Sequence, residues 1–101
     1  MNINPFDMLK NAKVLQEQMS KMQETMEGIV ATGSSGGGIV KISINGKFEM
    51  LSVIIDPVAV DPRDVPMLQD LIRAAYSDAF SKIKDDLQSR IGPLAGGFPS
   101  L

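Results

Sequence analysis

The sequence predicts an α+β fold in which two long helices flank a three-stranded antiparallel sheet. Three observations carry that expectation. Apolar residues recur at helical spacing from Met8 to Met26 and again from Val65 to Leu87, and the stretch between them is rich in glycine and β-branched residues. Within that stretch Asn45-Gly46 separates two strand-like runs, where a tight hairpin turn belongs. At 101 residues the chain holds one hydrophobic core. Residues 1–92 are expected to form a single domain, and 93–101, with Gly96-Gly97 and Pro99, a flexible tail.

The first helix is expected from Pro5 to Glu27. Asn4 is placed to cap it, Pro5 occupies the first helical position where no N–H is needed, and Gly28 stops it. Met8, Ala12, Leu15, Met19, Met22 and Met26 alternate spacings of four and three, which is a heptad seam. Lys10, Glu17 and Glu24 fall opposite the seam, while the flanking sites hold the neutral Asn11, Gln16, Gln18, Gln23 and Thr25. A helix of this length spans about 35 Å, long for so small a domain, so part of the seam is expected to meet a helix outside the core. The alternative is a plain amphipathic core helix with methionine as filler.

The middle segment reads as strands Ile29–Thr32, Ile39–Ile44 and Lys47–Ile55, with Gly33–Gly38 as a loop and Asp56-Pro57 as the stop. A two-residue type I′ turn at Asn45-Gly46 pairs Ile44 with Lys47 and Val40 with Leu51. Val40, Ile42, Ile44, Leu51, Val53 and Ile55 then share one face. The other face shows Lys41, Ser43, Phe48, Met50, Ser52 and Ile54, a mixture too apolar for open water and suited to a subunit contact. Asp64 is placed to cap the second helix at the Met67 N–H. Its stripe runs through Val65, Leu68, Ile72, Ala75, Tyr76, Ala79, Ile83 and Leu87 to a stop at Gly92-Pro93.

Composition excludes most chemistry. The chain has no His, Cys or Trp, which removes Cys–His and Ser–His catalysis and the soft ligand sets of zinc. Gly36-Gly37-Gly38 lacks the following Lys-Ser/Thr and helix of a phosphate loop and reads as a hairpin loop. The pairs Asp85/Asp86 and Asp61/Asp64 have no third hard ligand spaced to join them and read as solvated surface. Tyr76 packs in the stripe of its helix. No enzymatic activity, cofactor, metal or small-molecule substrate is expected. No apolar run approaches the roughly 18 residues of a membrane span. Met1 to Pro5 carries no leader-like basic and apolar blocks, so a cytoplasmic address is expected.

A formal net charge of −2 argues at first against a nucleic-acid partner. By position the picture changes. Lys10 and Lys13 outweigh Asp7 near the N-terminus, Lys82, Lys84 and Arg90 outweigh Asp85 and Asp86 near the C-terminus, and the acidic excess lies between. If the two helices lie side by side, their distant ends form one basic pole suited to a phosphate backbone. The alternative is a mixed solvated surface.

Several segments together resemble the YbaB/EbfC family of bacterial nucleoid-associated proteins. They are Met8-Leu9-Lys10-Asn11-Ala12 with Gln16-Glu17-Gln18-Met19, Thr32-Gly33 through Gly38-Ile39-Val40-Lys41, Ile44-Asn45-Gly46, and Val53-Ile54-Ile55-Asp56-Pro57. In the second helix they are Leu68-Gln69-Asp70-Leu71-Ile72 and Ala74-Ala75-Tyr76-Ser77-Asp78-Ala79. The resemblance spans roughly residues 5–92. It implies an α-β-β-β-α protomer, a tweezer-like homodimer whose sheets meet at the centre, and helices that project around duplex DNA. It places DNA contacts at Lys10, Lys13 and Lys21 on the first helix and at Lys82, Lys84 and Arg90 on the last. The chain is sparser in cations than the family pattern, and Asp85 and Asp86 lie among those of the last helix. The competing expectation is a dimeric adaptor whose Met-rich first helix accepts another protein's helix without direct DNA binding.

Overall fold

Local signals define the helix starts in the computed structural model, which describes residues 4–91. Helix α1 runs Pro5–Gly28, with the Asn4 side chain accepting the Phe6 N–H at 3.0 Å. Helix α2 runs Val65–Ile91, and Asp64 Oδ1 accepts the Met67 N–H at 3.2 Å. Between them lie β1 (Val30–Ser35), β2 (Val40–Asn45), β3 (Met50–Ile55) and a 3-10 turn over Pro57–Ala59. The sheet is antiparallel, in the order β1-β2-β3. The expected stop at Gly92-Pro93 and tail over 93–101 lie outside the described residues.

The core is α2 laid across β1 and β2. Val40, Ile42 and Ile44 from β2 are fully buried beneath Ala75, Ala79, Ile83 and Leu87, with Ile29 closing one end. Small residues let the layers approach. A Cβ at Gly33 would collide with the Ala75 carbonyl and the Ala79 backbone, so only glycine fits where α2 presses closest on β1. Gly33, expected in a loop, is therefore a strand residue. The loop itself is four residues, Gly36 to Ile39, and its three glycines all have positive φ.

The second hairpin differs from the two-residue turn expected at Asn45-Gly46. The loop has three residues, Gly46 to Phe48: Phe48 N donates to the Asn45 carbonyl at 2.9 Å, Asn45 N donates to the Glu49 carbonyl at 3.1 Å, and Phe48 takes φ 62°. A left-handed third residue is the usual form of a three-residue hairpin loop. A non-glycine residue accepts it here because the Phe48 ring stacks on Phe80 of α2, centroids 5.1 Å apart. Asn45, the one buried polar residue among those described, accepts the N–H groups of Lys47 and Glu49, each at 3.0 Å. The loop moves the register by three, to Ile44↔Met50, and a bulge adds one more, giving Val40↔Ile55 and Ile42↔Val53. A shift of four preserves the face of Val53 and Ile55. A bulge then makes Leu51 the extra residue, sets Met50 opposite Ile44, and takes Phe48 off the outer face.

The condition for a single basic pole, helices lying side by side, is not met. Helices of 24 and 27 residues span about 36 and 40 Å. The molecule measures 71 × 24 × 19 Å, so they lie nearly end to end and overlap only near their C-terminal turns. Its radius of gyration is 19.9 Å, where a compact chain of this size has about 13 Å.

Candidate nucleic-acid interface

Helix α1 is an arm. None of its residues is buried, and only its last turns touch the body. There Gly46 N lies 2.9 Å from both the Met26 and Ile29 carbonyls, and Lys47 Nζ pairs with Glu27 at 3.1 Å. That hydrogen bond and the charges of Glu27 and Glu49 hold the Lys47 ammonium above its ordinary value. The hairpin loop is thus the bracket of the arm. A Cβ at Gly46 would come within 2.6 Å of the Met26 carbonyl, so the bracket also depends on a glycine.

Helical geometry sorts the arm into two faces. At about 100° per residue, Lys10, Lys13 and Lys21 fall within an arc of about 80°. The seam from Met8 to Met26 occupies an arc of similar width, centred about 180° away. Glu17 and Glu24 share the lysine face, but from Met8 to Gln16 the only charged residues are Lys10 and Lys13. With Asp7 in the first turn, the outer half of the arm carries a net charge of +1, and the positive end of the helix dipole lies at its tip. Among the described residues Lys10, Lys13, Lys21 and Lys41 make no ion pair; Lys41, on the outer face of β2, was not singled out by its sequence context.

The cations of α2 are differently placed. Lys82 Nζ donates to the Thr32 carbonyl at 2.9 Å and pairs with Asp78 at 3.1 Å, which ties it to the sheet. Asp78 also accepts the Ser34 N–H at 3.0 Å; that bond first, then Lys82, holds its carboxyl below the ordinary carboxylate value. Lys84 is half-buried and engaged. Arg90 pairs with Asp86 at 2.8 Å and faces the last turns of α1 alongside Met22 and Met26. The structure therefore groups Lys10, Lys13 and Lys21 on the arm but does not bring them to one pole with Lys82, Lys84 and Arg90 in the protomer. At the opposite end of the molecule, Asp64 and Asp70 border an open depression with Ser35 and Leu71.

A bare amphipathic arm carrying unpaired lysines on an α-β-β-β-α body is the arrangement that comparison with known proteins bears on. Residues 1–98 match the model of the YbaB/EbfC DNA-binding family. The chain belongs to this family. A nucleoid-associated protein of Dictyoglomus thermophilum is 45% identical over 96 residues, covering 95% of this chain and 92% of the relative. One from Mycobacteroides abscessus is 45% identical over 94 residues, 93% and 82% of the two chains. Another, from Chloroflexus aggregans, is 38% identical over 99 residues, 98% and 99%. Among solved structures, the uncharacterized protein HP0035 from Helicobacter pylori superposes with a TM-score of 0.62 at 20% identity, over 82% of this chain and 96% of that one, and so shares the fold. Among the described residues no group of three or more His, Cys, Asp or Glu side chains is arranged to hold a metal, and no helix is long and apolar enough to cross a membrane.

Proposed function

We propose that this member of the YbaB/EbfC family is a nucleoid-associated protein that binds duplex DNA as a homodimer, in the cytoplasm, without catalysis. The observation that carries the reading is α1: a projecting helix with Lys10, Lys13 and Lys21 unpaired on one face and an unburied apolar seam on the other. The lysines meet phosphates, and the seam and the uncovered strand β3 meet the second copy. Lys82, Lys84 and Arg90 add to the interface once a phosphate displaces the carboxylates that hold Lys82 and Arg90. Two copies double a weak cationic field, which a chain of net charge −2 needs.

The test is a salt titration of binding to random-sequence duplex, read by anisotropy. The logarithm of affinity should fall linearly with the logarithm of salt concentration, each phosphate contact adding nearly one unit of slope. Lys10→Ala/Lys13→Ala/Lys21→Ala should flatten the slope, and Lys82→Ala/Arg90→Ala should do so less. Absence of duplex binding at low salt, or a slope indifferent to the α1 lysines, would sink the proposal. A second reading, a protein-interaction adaptor, is favoured by the exposure of Met8, Met19 and Met22. It expects partners that survive nuclease treatment in a pull-down.

A further inference from the structure

A cavity of about 210 Å³ lies between the last turns of α1 and α2, lined by Met22, Thr25, Met26, Ile29, Leu87 and Arg90. It is the point where the arm leaves the body, and its walls are mostly apolar. Arg90 on its rim is one residue before Ile91, so the chain leaves α2 at the mouth of the cavity. Ten residues follow, Gly92 to Leu101, with no charged side chain and with Leu94, Phe98 and Leu101 as large apolar groups. Gly92-Pro93 favours a change of chain direction over a continued helix. At about 3.3 Å per residue, Leu94 reaches about 10 Å from Ile91 and Phe98 more than 20 Å, enough for either to return to the cavity.

We propose that this cavity is the docking site of the chain's own C-terminal segment, with Phe98 inserted between Met22 and Leu87 and Leu94 covering the mouth. The segment then acts as a strap that holds α1 at a fixed angle to α2. Tethering favours this occupant over any free partner. A side chain on a short linker is presented at an effective concentration of about a millimolar, so contacts too weak to capture a free partner hold it. The proposal does not depend on DNA binding and is tested without DNA.

The chain has no tryptophan, so one introduced indole reports alone. Phe98→Trp should emit at shorter wavelength than the control Ser100→Trp and be quenched severalfold less by acrylamide. Adding Thr25→Lys, an exposed change that places an ammonium at the cavity and replaces no residue of the seam, should return the indole to water-like emission with circular dichroism unchanged. Emission of Phe98→Trp equal to that of the Ser100→Trp control overturns the proposal. So does a blue shift that Thr25→Lys leaves intact, because the indole is then buried elsewhere. A blue shift that returns when the Phe98→Trp/Thr25→Lys chain is mixed with wild type also overturns it, because the segment then docks on a second copy.

Discussion

At the scale of single residues, contact distance and charge decide. Gly33 sits where α2 comes closest to β1, and its missing Cβ is the space that the Ala75 carbonyl and Ala79 backbone occupy. Backbone atoms cannot rotate away as a flexible side chain can, so Gly33→Ala has to push the helix off the sheet. Overpacking of this kind costs about 1–3 kcal/mol. Thermal melts should show Tm falling by several degrees, and an unchanged Tm would mean that the layers separate freely. Asp78 gives a pH prediction. Its carboxyl titrates below the ordinary value because it accepts the Ser34 N–H and faces Lys82. A depressed folded value stabilises the fold above the unfolded value, and that contribution is lost as pH falls through the folded one. Asp78→Asn keeps an oxygen for Ser34 but has no charge. The wild type should therefore be more stable than the variant at neutral pH, with the gap closing below about pH 4. A gap that persists in strong acid would show that the charge is not its source.

At the scale of elements, what could be read from sequence was what local chemistry fixes. Asn4 and Asp64 set the helix starts because a capping side chain acts on N–H groups two or three residues away. Strand order followed from the two hairpin signals, and the buried face of β2 from alternation. The β2–β3 loop did not, since its length depends on Phe48 meeting Phe80, a residue 32 positions away in the chain. The helix arrangement was also hidden, because a heptad seam does not say what covers it. The lysines of α1 could be found as a cluster by helical spacing, whereas the pairing of Lys82 with Asp78 and the sheet carbonyl at Thr32 needed the fold. The arm itself carries a prediction. A helix of 24 residues that buries none of them gains little from packing within the protomer, and in the proposed homodimer the second copy supplies that packing. Leu15→Gln/Met19→Gln should lower helicity by circular dichroism at micromolar concentration while the near-ultraviolet signal of Tyr76 and Phe80 is kept. Full retention of helicity would mean that the seam contributes nothing.

At the scale of the whole molecule, surface area leads to the same partner. The protomer exposes 7589 Å², whereas a compact chain of 10.9 kDa exposes roughly 5600 Å². The excess, about 2000 Å², is large beside the roughly 800 Å² that each partner buries in a standard interface. Much of it is apolar: Met8, Leu15, Met19 and Met22 on the arm, and Met50, Leu51, Val53 and Ile54 on β3, are each between 44% and 66% exposed. Helix α2 covers β1 and β2 and leaves β3 as an open edge, which invites pairing with another chain unless it is covered. The proposed dimer, if closed and two-fold, would cover both surfaces at once, because in an isologous interface each copy offers the same patch and receives it. Association that supplies part of the fold must appear in the stability. Binding to the folded state alone makes Tm depend on concentration. Melts of the wild type from about 1 to 100 μM should therefore shift upward with concentration, light scattering should give twice the protomer mass, and Leu15→Gln/Met19→Gln should reduce the shift. A Tm independent of concentration together with a scattering mass of one protomer would remove the dimer, and with it the doubled cationic field on which the proposed DNA grip depends.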